Sequence, residues 1–375
     1  MSAARTDRVT SIDFVRGIVM ILMAIDHVRV YSGVPAGGPS PGVFFTRWIT
    51  HFVAPAFLFL AGTSAYLHGR KLGSRGALSK FLLVRGAILI LLELTVIRIS
   101  WTFNFDFRNY MLAGVIWVIG WCMIVLAAAV HLPVRVAGAI GVAIIALHNL
   151  IDYAPWPEQP HWFLKFLYYG GGIGPLAILY VLVPWVGVML AGYGFGLVME
   201  LPAERRRAIV LRLGLALTAA FIVLRALDRY GDPHPWRGEP GVLRFLATTK
   251  YPASLDFLLM TLGPMFILLA LAERWRGKPV EVASTFGRVP LFYYLLHIPV
   301  IHLAACLVSL VREGHVNAWL FANHPVLKPD VPPGYTWSLG LLYLVAALVV
   351  TVLYFPCRWY ARVRAARKST WLSYI

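Results

Sequence analysis

Ten stretches of about 20 residues, each dominated by apolar side chains and poor in charge, constrain this chain more than any other feature. They cover 12–31, 47–68, 80–100, 111–130, 134–152, 177–199, 208–227, 255–273, 288–311 and 336–357. A helix needs about 20 residues to cross the hydrocarbon core of a bilayer. Inside lipid it must also satisfy its own backbone amides. Of 375 residues, 59% are hydrophobic and only 14% charged, against about 25% charged in a soluble domain. That leaves too little polar sequence to coat two or three soluble domains. The expectation is an all-α, polytopic integral membrane protein with about ten transmembrane helices, built as a single domain over 1–375. A membrane β-barrel would show alternating ten-residue segments, whereas these runs are continuous.

The net charge of +17 is first a topology signal, because cytoplasmic loops of membrane proteins collect Lys and Arg. With a cytoplasmic N-terminus, the inner segments and span ends hold 22 of the 34 basic residues against 7 acids. They include Arg5, Arg8, Arg16, Lys71, Arg85, Arg135, Arg206, Arg288, Arg364 and Lys368. The other face holds 12 basic and 10 acidic residues. The asymmetry accounts for the charge without a nucleic-acid partner, and an even number of spans puts both termini in the cytoplasm. The first apolar run contains Asp13 and Arg16, which argues against a cleaved signal peptide, and the C-terminus shows no lipidation signal. Cys122, Cys306 and Cys357 form no C-x-x-C pair, so neither a disulfide framework nor a metal site is expected. The outer loops 31–46, 153–175, 228–254 and 312–335 are rich in turn formers, and the last three carry Trp156, Trp162, Trp236 and Trp319. Elaborated loops on one face make it the expected acceptor side.

The chemistry-bearing stretch is Ser11-Ile-Asp13-Phe-Val-Arg16-Gly17, an apolar run, then Asp26-His27. Ionisable groups in a span are costly and mark functional sites by default. Arg16 and His27 are eleven residues apart, about 16 Å of helical rise and only about 20° of rotation. Both side chains therefore leave one face, one near each end. Asp13 can pair with Arg16 one turn away. Asp26 adjoins His27, but consecutive residues diverge by about 100°, so their direct contact is not assured.

Ser11-Ile-Asp-Phe-Val-Arg-Gly17 followed by an apolar run ending Asp26-His27 resembles the opening span of the transmembrane acyltransferases. The closest resemblance is to the family of the lysosomal heparan-α-glucosaminide N-acetyltransferase and its bacterial relatives. It continues through Arg47-Trp-Ile-Thr-His51-Phe-Val-Ala-Pro55-Ala-Phe-Leu-Phe-Leu-Ala-Gly62, so the motif-bearing N-terminal part is 8–70. It returns in the C-terminal helices, 255–357, at Phe286-Gly-Arg288-Val-Pro-Leu-Phe-Tyr-Tyr294-Leu-Leu-His297. The Arg-x10-His spacing is also similar to that of the broader membrane O-acyltransferases. The resemblance implies that acyl-CoA, acetyl-CoA above all, is the co-substrate, with no permanently bound cofactor. It enters from the cytoplasm, and its acyl group passes to a sugar or lipid-linked sugar on the outer face of a bacterial inner membrane. The family's active-site histidine lies in the loop after this span. Here 31–46 contains none, Asp26 stands at an asparagine position and His27 at a tyrosine position.

On this reading the catalytic candidates are His27, Asp26 and His297. The donor-binding candidates are Arg16, Asp13, Arg85 and Arg288, which could hold CoA phosphates by charge-assisted hydrogen bonds. The acceptor candidates are His51, Lys250 and Tyr251, with Lys250 suited to an anionic acceptor or a lipid phosphate. His51 could equally cap the kink at Pro55. Basic inner loops also suit anionic membrane lipids, and self-association is left open. Glu93 could pair with an arginine of a neighbouring helix; Asn104, Asp106 and Arg108 make a polar outer turn; and His148 with Asp152 reads as a local hydrogen-bonded pair. Gly192-Tyr-Gly194-Phe-Gly196 suits close helix packing. The main alternative is a transporter or flippase with a proton relay through Glu93, His27 and His297. A non-catalytic scaffold has less reason to bury charge.

Overall fold

The computed structural model describes residues 10–155, 157–237, 241–327 and 329–366. Arg5, Arg8, Trp156 and Lys368 lie outside them. In chain order the first elements are α1 (Thr10–Ser32), α2 (Pro41–Trp48), α3 (Val53–Leu72), α4 (Arg75–Leu92), α5 (Arg98–Thr102), β1 (Met111–Ala113), α6 (Val115–Ala129) and α7 (Val134–Leu147). Then come α8 (Trp162–Leu164), β2 (Gly171–Ile173), β3 (Leu176–Ile178), α9 (Trp185–Met199), α10 (Ala203–Leu227), α11 (Val242–Leu246) and α12 (Leu255–Ala272). The chain closes with α13 (Lys278–Arg288), α14 (Pro290–Glu313) and α15 (Leu339–Ala366).

Among the described residues, six helices are long and apolar enough to cross a membrane: Pro41–Leu72, Val134–Tyr153, α10, α12, α14 and α15. The other expected spans are helical too, and each departs from the simple pattern for a visible reason. α1 carries Asp13, Arg16, Asp26 and Arg29. The 80–100 range belongs to a helix that runs from α4 through a π turn at Glu93–Ile97 into α5 and holds Lys80, Arg85, Glu93 and Arg98. α6 and α9 are 15 residues each.

Two expected spans begin too early, and the chain is not purely helical. Residues 111–113 and 176–178 are strands of a three-stranded sheet ordered β1-β3-β2. β1 runs parallel to β3, with Met111 opposite Leu176, and β2 runs antiparallel to it. Gly114, the glycines at 170–172 and 174, and Pro175 interrupt helical structure here, so the backbone groups pair between strands instead. The ninth span, expected from 288, likewise begins later: Arg288 ends α13, the helix breaks at Val289, and Pro290 takes the first helical position of α14.

α1 lies at the centre, packed against α13, α14, α15, α3 and α12. Its contact with α13 is backbone to backbone. A Cβ on Gly17 would stand 1.8 Å from the Ala283 carbonyl oxygen, and one on Gly287 would stand 1.8 Å from that of Asp13. The glycine triplet of α9 serves the same purpose. A Cβ on Gly192 would meet the Phe59 carbonyl at 2.1 Å, and one on Gly194 would meet Gly138 at 2.6 Å. Small residues at such crossings let helices approach in lipid, where apolar burial supplies little drive.

Candidate functional site

Arg16 leaves α1 one turn after Asp13, and the two form an ion pair at 3.8 Å. The Arg16 guanidinium also donates to Ser64 Oγ of α3 at 2.7 Å and to the Gly287 carbonyl of α13 at 3.3 Å. Three helices thus fix it at the rim of a cavity of about 1630 Å³. Arg85, Arg288 and Arg364 line the same cavity, as do Arg70, Lys71, Arg206 and Arg276. All four donor candidates named from sequence, Asp13, Arg16, Arg85 and Arg288, therefore share one chamber. Its carboxylates are Asp13, Glu200 and Glu273, and each already engages an arginine: Arg16, Arg70 and Arg206 respectively. The excess charge of the chamber is positive. Inward, the lining becomes apolar and reaches Leu89, Val115, Ile116 and Tyr294.

One turn beyond Tyr294, α14 carries His297, which is fully buried. Its Nδ1 lies 2.7 Å from the Tyr294 carbonyl oxygen, and its Nε2 lies 2.7 Å from His27 Nδ1. A carbonyl can only accept, so His297 is protonated on Nδ1 and its Nε2 accepts from His27 Nδ1–H. His27 is left with the Nε2 lone pair, for which no described residue supplies a donor. Its ring is further held edge-on to Trp101, with centroids 4.8 Å apart. The two catalytic histidine candidates therefore form one directed pair, in which His297 orients His27 and His27 presents a basic nitrogen.

Asp26 does not take the orienting role that its adjacency to His27 suggested. Its Oδ1 accepts from Arg29 at 2.9 Å, and its Oδ2 accepts from Arg47 of α2. The 100° divergence of neighbouring helical positions turns the carboxylate away from the imidazole. Arg47 also reaches the Tyr251 hydroxyl at 3.4 Å. Lys250 completes this second cluster, its ammonium 5.3 Å from the Tyr251 ring centroid and 5.9 Å from that of Tyr180. Burial, and then the Arg47 guanidinium, push the Lys250 pKa down. Tyr251 is 38% exposed overall; desolvation of its hydroxyl favours the neutral phenol, but Lys250 and Arg47 outweigh it and bring the pKa down to about 8. His51 sits in the 3-10 turn Ile49–Phe52, its ring 5.3 Å from Phe257 and its buried Nδ1 unpartnered. It makes no capping bond to the helix that holds Pro55. It lies within electrostatic reach of Lys250 and Arg47, beside the cluster and not bonded into it.

Several other residues that the sequence singled out make local structural contacts. Glu93 pairs with no described arginine: its Oε2 accepts from the backbone N–H of Ile116 and Trp117 at 2.9 and 3.1 Å, at the N-terminus of α6. It bonds neither His27 nor His297, so the three do not form one hydrogen-bonded relay. His148 and Asp152 do not pair. His148 bonds the carbonyls of Ile144, Ile145 and Ala253, while Asp152 accepts from Asn149 and Tyr168. Asn104 donates to the Phe321 carbonyl and to Asn323, tying the loop after α5 to the loop between α14 and α15. His302, also on α14, stacks on Phe103 and Tyr31, with centroids 3.9 and 4.6 Å away, and its Nδ1 lies 3.1 Å from the Ser100 carbonyl oxygen. The described residues contain no cluster suited to a metal ion.

Sequence reasoning did not nominate Arg29, Arg47, Ser64, Tyr180 or Arg364 as site residues. Arg29 carried a local signal, its i+3 spacing from Asp26. Arg47 and Ser64 sit within or beside the second-span motif. Arg364 and Tyr180 gave none, because their proximity arises only when distant helices pack.

No curated protein matches the chain. A family model described as "Heparan-alpha-glucosaminide N-acetyltransferase, catalytic" matches residues 8–227, which carry α1 through α10, the Arg16–His27 helix and Arg47. His297, Lys250, Tyr251 and Arg288 lie beyond the matched segment, yet the fold brings Arg288 to the basic chamber, His297 to His27, and Tyr251 with Lys250 to Arg47. A match over more than half of the length, on the segment that builds the site, decides the assignment: the chain belongs to the heparan-α-glucosaminide N-acetyltransferase catalytic-domain family of transmembrane acetyltransferases.

Proposed function

We propose that this protein transfers an acetyl group from cytoplasmic acetyl-CoA to a sugar or lipid-linked sugar on the opposite face of a bacterial inner membrane. In this reading the chain crosses ten times with both termini in the cytoplasm, so that the arginine-lined cavity opens inward and the Lys250–Tyr251 cluster faces outward. One observation carries it. A single helix, α1, has Arg16 in the basic cavity and His27 beside the outer cluster, about 16 Å apart along its axis. That spacing suits a pantetheine arm whose phosphates stay with Arg16, Arg85 and Arg288 while the thioester lies near Tyr294 and His27.

The chain's own groups supply the chemistry. His27 Nε2 accepts the proton of the acceptor nucleophile as that atom bonds to the thioester carbonyl carbon. His297 Nε2, accepting from His27 Nδ1–H, supports the imidazolium so formed. The tetrahedral centre collapses with cleavage of the C–S bond, and His27 returns the proton to the departing thiolate. The products are the acetylated acceptor and free CoA.

Acetyl-CoA binding to the detergent-purified protein, followed by thermal shift beside Arg16→Ala, tests the donor half. A ligand at 100 times its Kd stabilises by about 2.7 kcal/mol. The expected result is a clear shift in the wild type that the variant loses. A folded wild type that shows none would remove acetyl-CoA as donor and favour transport without covalent change.

A further inference from the structure

The outer cluster has a charge imbalance that bears on the acceptor. Among the described residues, Arg29, Arg47 and Lys250 face a single carboxylate, Asp26, and both of its oxygens are already taken by the two arginines. Lys250 is only 9% exposed. It rests against the rings of Tyr180 and Tyr251, and no described carboxylate comes within ion-pair distance. An ammonium buried without a counter-ion is costly. The turn that carries it is also held rigidly. Asp232 accepts from the Thr249 N–H at 2.8 Å and from the Ser254 hydroxyl at 2.7 Å, and Lys250 and Ala253 form a β-bridge. Asp232 is itself buried beside Arg225, so it is not open to an incoming cation.

Resting on the acyl-transfer reading above, we propose that the acceptor is an anionic sugar. Its phosphate or carboxylate would dock on Lys250, Arg47 and Tyr251, and it would receive the acetyl group on a hydroxyl and not on an amine. A protonated aminosugar would add a positive charge to a positive cluster with no open carboxylate to receive it. A hydroxyl, by contrast, needs only the base that His27 Nε2 provides. Its oxygen bonds to the thioester carbon, its proton passes to His27 Nε2, and the C–S bond breaks to give an O-acetyl ester and CoA. A free sugar phosphate and a lipid-linked phosphosugar share this chemistry. Tyr251 makes the site sensitive to pH, since its phenolate would neutralise part of the positive charge of Lys250 and Arg47, which Asp26 opposes, beside the Tyr180 hydroxyl.

The test uses the full chain in detergent with the donor site filled by CoA, whose own thermal shift is recorded first. Glucose 1-phosphate, glucuronate, glucose and glucosamine are then titrated. The first two are expected to bind and glucosamine is not. Lys250→Gln should weaken glucose 1-phosphate by about tenfold, the scale of one charge-assisted hydrogen bond, and leave the CoA shift intact. Wild-type affinity for glucose 1-phosphate should fall as pH rises through about 8 and stay flat in Tyr251→Phe, which keeps the test decisive should Lys250→Gln fail to fold. A polyprenyl phosphosugar in nanodiscs separates the sources: tighter binding than glucose 1-phosphate assigns a lipid-linked acceptor, equal binding a free one. A CoA shift accompanied by glucosamine binding at least as tight as glucose 1-phosphate, or by full affinity in Lys250→Gln, overturns the proposal. Absence of any CoA shift overturns instead the acyl-transfer reading beneath it.

Discussion

Replacing His27 by alanine is expected to lower acetyl transfer by about 10²–10⁴-fold, the usual contribution of a positioned general base. The KM for acetyl-CoA should hardly change, because the donor contacts lie three turns away. His297 acts through His27, and its variants should show it. His297→Ala should lower kcat by less than the loss of His27 does and broaden the pH profile. His297→Gln should recover part of the rate, since an amide oxygen can still accept from His27 Nδ1–H. Equal losses in His297→Ala and His297→Gln would argue for a purely structural role. Tyr251 gives a second expectation at this scale. Its phenol should titrate near pH 8 by ultraviolet difference absorbance, the signal vanishing in Tyr251→Phe and moving up in Lys250→Met. The folded state gives up this proton below the ordinary value of 10. The phenolate therefore contributes stability that is complete above pH 10 and lost as pH falls through about 8. An unshifted titration near 10 would place Lys250 and Arg47 farther from the phenol. Arg16 and His27 were legible in the sequence because a helix fixes their relation. The His27–His297 bond was not, because 270 residues separate its partners and only the packing of α14 on α1 brings them together.

At the scale of elements, the junction between the π turn at Glu93 and α6 is the sharpest case. The first N–H groups of a helix lack intrahelical partners, and a carboxylate there satisfies them and complements the helix dipole. Glu93→Ala should therefore destabilise the protein by about 1–2 kcal/mol in thermal or denaturant unfolding. A Cβ on Gly114 would stand 2.6 Å from Glu93 Oε1, so Gly114→Ala should also destabilise, and less so in the Glu93→Ala background. Additive effects in that double-mutant cycle would mean that the two do not touch. The sequence marked Glu93 as a charged residue in an apolar run and offered an arginine as its partner. Its real partners are backbone amides, which no pattern of side chains announces. The strands at 111–113 and 176–178 escaped notice for a related reason. Three-residue segments are too short for an alternating pattern to emerge, and their apolar side chains read as the beginnings of the helices that follow.

At the scale of the whole molecule, hydropathy conveyed the helical membrane architecture, and eight of the basic residues that charge assigned to one face line one chamber. The chamber they line, however, is a property of packing. α1, α3, α4, α10, α14 and α15 must converge before Arg16, Arg85, Arg206 and Arg364 share a volume. The separation of that chamber from the Lys250–Tyr251 cluster leads to the last expectation. If α1 stands across the bilayer with Arg16 inside and His27 outside, donor and acceptor belong to different compartments. In proteoliposomes of known orientation, acetyl-CoA should support transfer only when supplied on the side of the basic end, to an acceptor held on the other. Single cysteines at exposed Gly37 and Arg135, in a background lacking Cys122, Cys306 and Cys357, should react with an impermeant maleimide from opposite sides. Transfer that requires both substrates in one compartment would break the link between the two clusters. Labelling of both cysteines from one side would break the ten-span topology while leaving the chemistry at His27 to be judged on its own variants.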